Sequence, residues 1–177
     1  MRKIILSFLL IILVLSVTGC IRSDYNHLLI EPRYDQAQYR SEIGNLFYET
    51  NEKIGITTSF GFFIYNLDTD ELITTFALDE KKAFGEDFFV EAQLSKDEKS
   101  IILSGYSSME VIDDYHYKYD LKTDTLLRVD QKVDLDELYP LPDQDRKTFE
   151  TSDWTAQDLA YYPPNSDAPY YPFKNIE

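Results

Sequence analysis

Tyr115-His116-Tyr117-Lys118-Tyr119-Asp120-Leu121 is the stretch that decides the fold. Rings and a leucine take every second position, and His116, Lys118 and Asp120 fill the gaps. Successive side chains of a β-strand point to opposite faces, so this spacing predicts a strand with one apolar and one polar face. Lys122-Thr123-Asp124 supplies turn residues, and Leu126 to Val133 returns as a second strand. Upstream, Phe88, Val90, Ala92 and Leu94 alternate with Phe89, Glu91 and Gln93. Ser95 to Lys99 turns the chain into Ile101-Ile102-Leu103. Earlier still, Phe60 to Tyr65 is rich in aromatic and β-branched residues, Asn66 to Glu71 is a turn, and Leu72 to Leu78 is strand-like. Each connection is short enough for antiparallel neighbours. The expected fold is mainly β, an open antiparallel meander of six to eight strands.

The flanks read differently. Tyr39, Ile43, Leu46 and Phe47 fall at i, i+4, i+7 and i+8, and Pro32 precedes them, which predicts one N-terminal helix over residues 34–48. Gly44 weakens that pattern. Residues 138–177 mix Pro140, Pro142, Pro163, Pro164, Pro169 and Pro172 with Trp154 and a dense set of tyrosines. Proline removes donors and fixes φ, so this segment is expected to be irregular, with Ser152-Asp153 capping a turn or two of helix through Leu159. Free in water it would expose a large apolar area, so it is expected to lie against the sheet, with Trp154 at least half buried. Residues 34–177 are therefore taken as a single β-rich domain.

The meander contains an internal echo. Tyr65-Asn66-Leu67-Asp68-Thr69-Asp70-Glu71-Leu72 aligns with Tyr119-Asp120-Leu121-Lys122-Thr123-Asp124-Thr125-Leu126 at an offset of 54, with five of eight positions identical. Together with Ser95-Lys96-Asp97-Glu98-Lys99, the unit from Phe88 to Asp130 resembles a blade of the TolB-like propellers. There one strand ends in a Ser-x-Asp-Gly-Lys-type turn and a later one reads Tyr-x-x-Asp-Leu-x-Thr-Gly. Here Glu98 and Asp124 stand where that pattern has glycine, so the turns are expected to differ in detail. One or two blades cannot close a propeller, which needs at least four, so an open sheet is the more economical expectation.

At the N-terminus, Met1-Arg2-Lys3 heads an almost unbroken apolar run from Ile4 to Val17, and Val17-Thr18-Gly19-Cys20 follows. A basic head, an apolar core and small residues at a cut site are the layout of an export signal. The run is too short to span a bilayer, which takes about twenty apolar residues. Cys20 is the only cysteine in the chain. The four residues resemble the lipobox of bacterial lipoproteins. That resemblance implies cleavage between Gly19 and Cys20 and a diacylglyceryl group on the Cys20 thiol. Residues 1–19 would be removed, and residues 20–33 would form the lipidated N-terminus and a short tether. The chain would then sit on the extracytoplasmic face of the cell membrane, anchored in the lipid bilayer by its acyl chains without spanning it.

Charge and inventory exclude other classes. The chain has 17 basic and 32 acidic residues; without Arg2 and Lys3 the balance is 15 against 32, near −17. Nucleic acid is not an expected partner, because phosphates require clustered Lys and Arg. Nucleophilic catalysis lacks a free thiol or a Gly-x-Ser-x-Gly elbow, and only His27 and His116 are available as bases. The alternation puts His116 on the polar face of its strand. Two distant histidines do not make a zinc site, so no metal and no cofactor is expected. Asp68-x-Asp70-Glu71 and Asp134-x-Asp136-Glu137 carry oxygens at alternate positions but lack the calcium-loop glycine and terminal glutamate, so turn roles are favoured. The candidate ligand-binding residues are Tyr115, Tyr117, Tyr119 and Trp154, although such a stripe is more often the packed face of a sheet. The expected function is a membrane-anchored, non-catalytic binding or accessory module for an unknown protein or polymer partner. The alternatives are a carboxylate-dependent hydrolase of cell-wall polymers and a sensor accessory beside a membrane receptor.

Overall fold

The computed structural model describes residues 25–32, 44–86, 88–107, 115–130, 132–142, 149–150, 156–164, 166 and 168–175. The fold is mainly β, with antiparallel sheets of five, four and two strands. The first sheet is a meander of β2 (Asn45–Glu49), β3 (Lys53–Thr58), β4 (Gly61–Asn66) and β5 (Glu71–Leu78). β1 (Leu29–Ile30) adds to its outer edge, pairing Leu29 with Leu78 and Ile30 with Ala77. A single helical turn, α1 (Glu80–Ala83), is capped by the Asp79 carboxylate on the Lys82 N–H and leads to the second meander. That sheet comprises β6 (Phe89–Leu94), β7 (Ser100–Tyr106), β8 (His116–Asp120) and β9 (Thr125–Val129). β10 (Phe149–Glu150) and β11 (Ala160–Tyr161) form the third, two-stranded sheet. The two meanders together supply eight strands, split between two sheets.

The echo in the sequence is an echo in the structure. Tyr65 pairs with Leu72 and Asn66 with Glu71; Tyr119 pairs with Leu126 and Asp120 with Thr125. The Asn66 side-chain oxygen accepts from the N–H groups of Asp68 and Thr69 at 2.8 and 3.1 Å. Asp120 Oδ1 does the same for Lys122 and Thr123, both at 3.0 Å. Each loop closes with an aspartate in the left-handed region, Asp70 at φ 58° and Asp124 at φ 51°. The Tyr65 hydroxyl donates to Asp70 and the Tyr119 hydroxyl to Asp124. Glu98 also has positive φ, 54°. The acids at 98 and 124 thus adopt a backbone that favours glycine, so the expected departure in turn geometry does not extend to their φ. A left-handed residue with a Cβ costs about 1–2 kcal/mol, and at Asp70 and Asp124 the tyrosine bond offsets part of it.

The sheets stack face to back. Tyr117, Tyr119, Leu103 and Leu126 of the second sheet pack on Phe62, Ile64 and Phe76 of the first. The Phe76 and Tyr119 rings stack at 3.9 Å between centroids. The opposite face of the first sheet, with Ile54, Ile56, Phe63 and Tyr65, is covered by Leu159, Tyr161 and Phe173 from the C-terminal segment. β4 is consequently buried on both faces. That is why Gly61-Phe62-Phe63-Ile64-Tyr65 reads as a continuous apolar run rather than as an alternation.

Two expectations from the flanks need correction. Asn45–Glu49, at the end of the predicted helix, is the strand β2; residues 34–43 lie outside the described residues. A register irregularity between Leu46 and Tyr48 sends both Phe47 and Tyr48 into the inter-sheet core, breaking the period of two that would have revealed a strand. Gly55 opposite makes room for Phe47, since a Cβ there would lie 2.6 Å from the ring. Within the predicted tether, residues 25–30 are part of the fold. The Tyr25 N–H donates to Leu126 O at 3.1 Å, and the Leu126 N–H donates to the Asn26 side chain at 2.7 Å. Three residues after Asn26 the chain joins β5 as β1, so this segment clasps the outer strand of each sheet.

Candidate functional site

The tyrosine stripe is core. Tyr117 and Tyr119 are each 3% exposed. Tyr115 and Tyr117 donate to Ala83 O at 3.1 and 3.3 Å, and Tyr115 stacks on Phe84 while Arg128 covers its ring at 3.9 Å. Large rings on the face of a sheet that meets another sheet are packed by that neighbour and leave little surface to a ligand. The ligand-binding role considered for Tyr117 and Tyr119 is therefore replaced by a packing role, and Tyr115 shares that packing. Burial pushes the phenols of three core tyrosines, Tyr65, Tyr117 and Tyr119, above their ordinary value. Gly19, Cys20 and Trp154 lie outside the described residues.

The acidic turns are occupied by their own chain. Asp134 accepts from the Asp136 N–H at 3.0 Å, Asp97 from the Lys99 N–H at 3.1 Å, and Asp70 from Tyr65. Among the described residues, no group of three or more His, Cys, Asp and Glu side chains is arranged to hold a metal ion. Glu98 has the most connections. From the tip of the β6–β7 hairpin it accepts from Tyr48 at 3.2 Å and Tyr139 at 3.4 Å, and it pairs with Lys53 Nζ at 3.2 Å. Its carboxylate thus joins the two sheets. Burial works to raise the carboxyl of Glu98, but Lys53 and the two hydroxyls outweigh it and hold it below the usual range. Tyr48 is pushed up to about 12, first by burial and then by Glu98.

His116 has a partner that the sequence did not reveal. Ser104 Oγ lies 2.8 Å from His116 Nδ1, and Glu91 pairs with Ser104 on the other side. Ser104 could not be anticipated, because it depends on how β7 and β8 align across a connection whose path the sequence does not specify. The pair sits on extended strands whose backbone N–H groups lie in the plane of the sheet. The contact is a cross-strand hydrogen bond.

Two concavities among the described residues bear on a site. One, of about 610 Å3, lies between β1, β5 and the β8–β9 turn. Of the polar residues that line it, Tyr119 and Asp124 already bond each other at 3.0 Å. The other, of about 360 Å3, runs between the edges of β2 and β6. Phe47, Val90, Ala92 and Gly105 line it, with Tyr106 and Leu141 at its mouth. Tyr106 is 38% exposed, Leu141 40% and the neighbouring Phe89 53%, and the Phe89 and Tyr106 rings meet at 5.7 Å. Gly105 helps to shape this end of the sheet, since the Phe84 ring takes the space a Cβ would need.

Among the described residues, the edge of β6 is only partly covered. The Tyr139 N–H donates to Leu94 O at 2.8 Å, the Lys96 N–H donates to Glu137 O at 2.8 Å, and Ser95 bridges Leu138. Strand alternation turns the main-chain groups of Ala92 and Val90 to the same side as those of Leu94. Pro140 and Pro142 follow Tyr139, and proline has no N–H to continue a ladder. Among the described residues, β6 has β7 as its only strand neighbour. The site therefore combines an apolar floor, an exposed ring pair and a stretch of open strand edge. Set against known proteins, the chain matches no family model, no curated protein and no solved structure.

Proposed function

We propose that this chain is an exported bacterial lipoprotein, held to the extracytoplasmic face of the cell membrane through Cys20, whose β domain is a non-catalytic binding module using the groove between β2 and β6. The observation that carries the reading is the position of the sole cysteine, directly after a basic head, an apolar run and Val17-Thr18-Gly19. The fold is consistent with it. Tyr25 is already bonded to β9, and five residues of chain reach at most about 17 Å. A lipid on Cys20 would therefore keep the domain close to the bilayer, leaving the groove to meet partners there. The binding role is supported by the exposed Phe89–Tyr106 pair beside an apolar cleft. The stacked, duplicated four-stranded meanders are likewise in keeping with a blade-like origin for the domain.

The experiment is metabolic labelling with a clickable fatty acid, in the native chain and in Cys20→Ala. The native protein should take up label and stay with membranes after carbonate washing. The variant should lose the label and be released or left unprocessed. Unchanged label in the variant, or retention of a processed variant with the native mobility, would refute the anchor.

A further inference from the structure

We infer that the groove takes an extended polypeptide segment, alternating apolar and basic residues, which adds as a strand to the open edge of β6. The inference rests on the binding-module reading above and specifies its partner. Residues 137–139 of the chain itself already begin this pairing, through Leu138 on Ser95 and the Tyr139 N–H on Leu94 O. Pro140 and Pro142 then end it, and the main-chain groups of Ala92 and Val90 continue the same edge. An incoming strand would extend an interface that is half built.

The side chains dictate the partner's pattern. Val90 and Ala92 turn toward the inter-sheet core, where Ala92 is buried, while Phe89 and Glu91 lie on the outer face and are exposed. A strand laid beside β6 shares this two-residue alternation. Every second residue would enter the groove against Phe47 and Ala92, an apolar environment. The others would stand beside Glu91 and the rings of Phe89 and Tyr106. A basic side chain suits that position twice, by pairing with the carboxylate and by lying over a ring. The net charge of −15 favours the same sign of partner at long range.

The test uses the full-length acylated protein in phosphatidylcholine nanodiscs and a fluorescein-labelled Val-Lys-Val-Lys-Val-Lys peptide, read by anisotropy and by the amide signals of Val90 and Ala92 in NMR. The peptide should bind and shift those two amides. Glu91→Lys should weaken binding about tenfold, and a Val-Glu peptide should weaken it at least as much. N-methylation of one alternate set of peptide amides should abolish binding, and methylation of the other set should spare it, because a strand uses one edge at a time. Equal binding by both methylated forms, or by the Val-Glu peptide, would overturn the inference. So would no binding of the Val-Lys peptide at about 1 mM. Should the peptide fail while an N-acetylglucosamine tetramer shifts the same amides, the groove binds and only the occupant is wrong. If neither perturbs them, the binding-module reading falls with it.

Discussion

The β4–β5 and β8–β9 hairpins follow one local rule and meet two different fates. Both close through an Asx turn, a left-handed aspartate and a tyrosine hydroxyl bonded to that aspartate. Yet Tyr65 faces the C-terminal segment, whereas Tyr119 faces the other sheet. Nothing within eight residues distinguishes these outcomes. Local sequence sets the hairpin, and long-range stacking sets what covers it. The first sheet, with a layer on each side, should therefore respond most to loss of volume.

The largest expected effect tests that claim. Phe63→Ala removes a fully buried ring between the first sheet and the tail, and should cost about 4 kcal/mol in urea unfolding. A loss below about 1 kcal/mol would mean that the tail is not a true third layer. Tyr117→Ala, in the single covered face of the second sheet, should cost about 3 kcal/mol. A larger loss there than at Phe63 would reverse the ranking of the sheets.

The hairpins themselves can be compared through their aspartates. Asp70→Ala and Asp124→Ala each lose the tyrosine bond while keeping a Cβ in the left-handed region, and should each cost about 1–2 kcal/mol. The glycine variants relieve the backbone as they lose the bond, so thermal melts should put them within about 0.5 kcal/mol of the parent. Widely different values at 70 and 124 would break the equivalence.

Glu98 marks where the repeats diverge, because the β6–β7 connection is two residues longer than the β2–β3 one and carries this acid across to the first sheet. Its folded-state pKa is depressed from the ordinary 4.5. The stabilisation is therefore present above that value and is lost as pH falls through the folded value. Lys53–Glu98 is partly solvent-exposed, so Glu98→Gln should cost about 0.5 kcal/mol at pH 7, with the two melting curves converging toward pH 2. A constant gap across that range would assign the effect to packing. His116→Ala should be smallest, about 0.5 kcal/mol or less, since it removes one part-buried cross-strand bond.

How much was readable follows the same division. The alternation at 115–121 located β8 and its buried face, and the Tyr-x-Leu repeat located both hairpins. β2 was misread because its irregularity hides the alternation, leaving Leu46 and Phe47 at a spacing that suits a helix. The clasp at Tyr25 and Asn26 carries no local signal, because its partner is Leu126. Of the candidate site, the alternation sets Phe89 and Glu91 on one face of β6 and Val90 and Ala92 on the other, without saying which face is covered. The groove was not legible, since it depends on where β2 stands beside β6. Leu141 reaches it only through the pairing of Leu138 with Ser95.

The clasp also fixes an order of assembly. Asn26 bonds Leu126 across 100 residues, and Leu29 must wait for Leu78. The four-stranded meanders are built from neighbours in sequence and close with little loop entropy, whereas the clasp joins ends far apart along the chain. Residues 25–30 are thus among the earliest to leave the ribosome and among the last to find their place. Until β9 exists, Tyr25 and Asn26 have no backbone to bond, and β1 must hold to β5 without that anchor. A chain halted before Leu126 would hold a complete first meander whose two-residue edge strand is tied down by β5 alone.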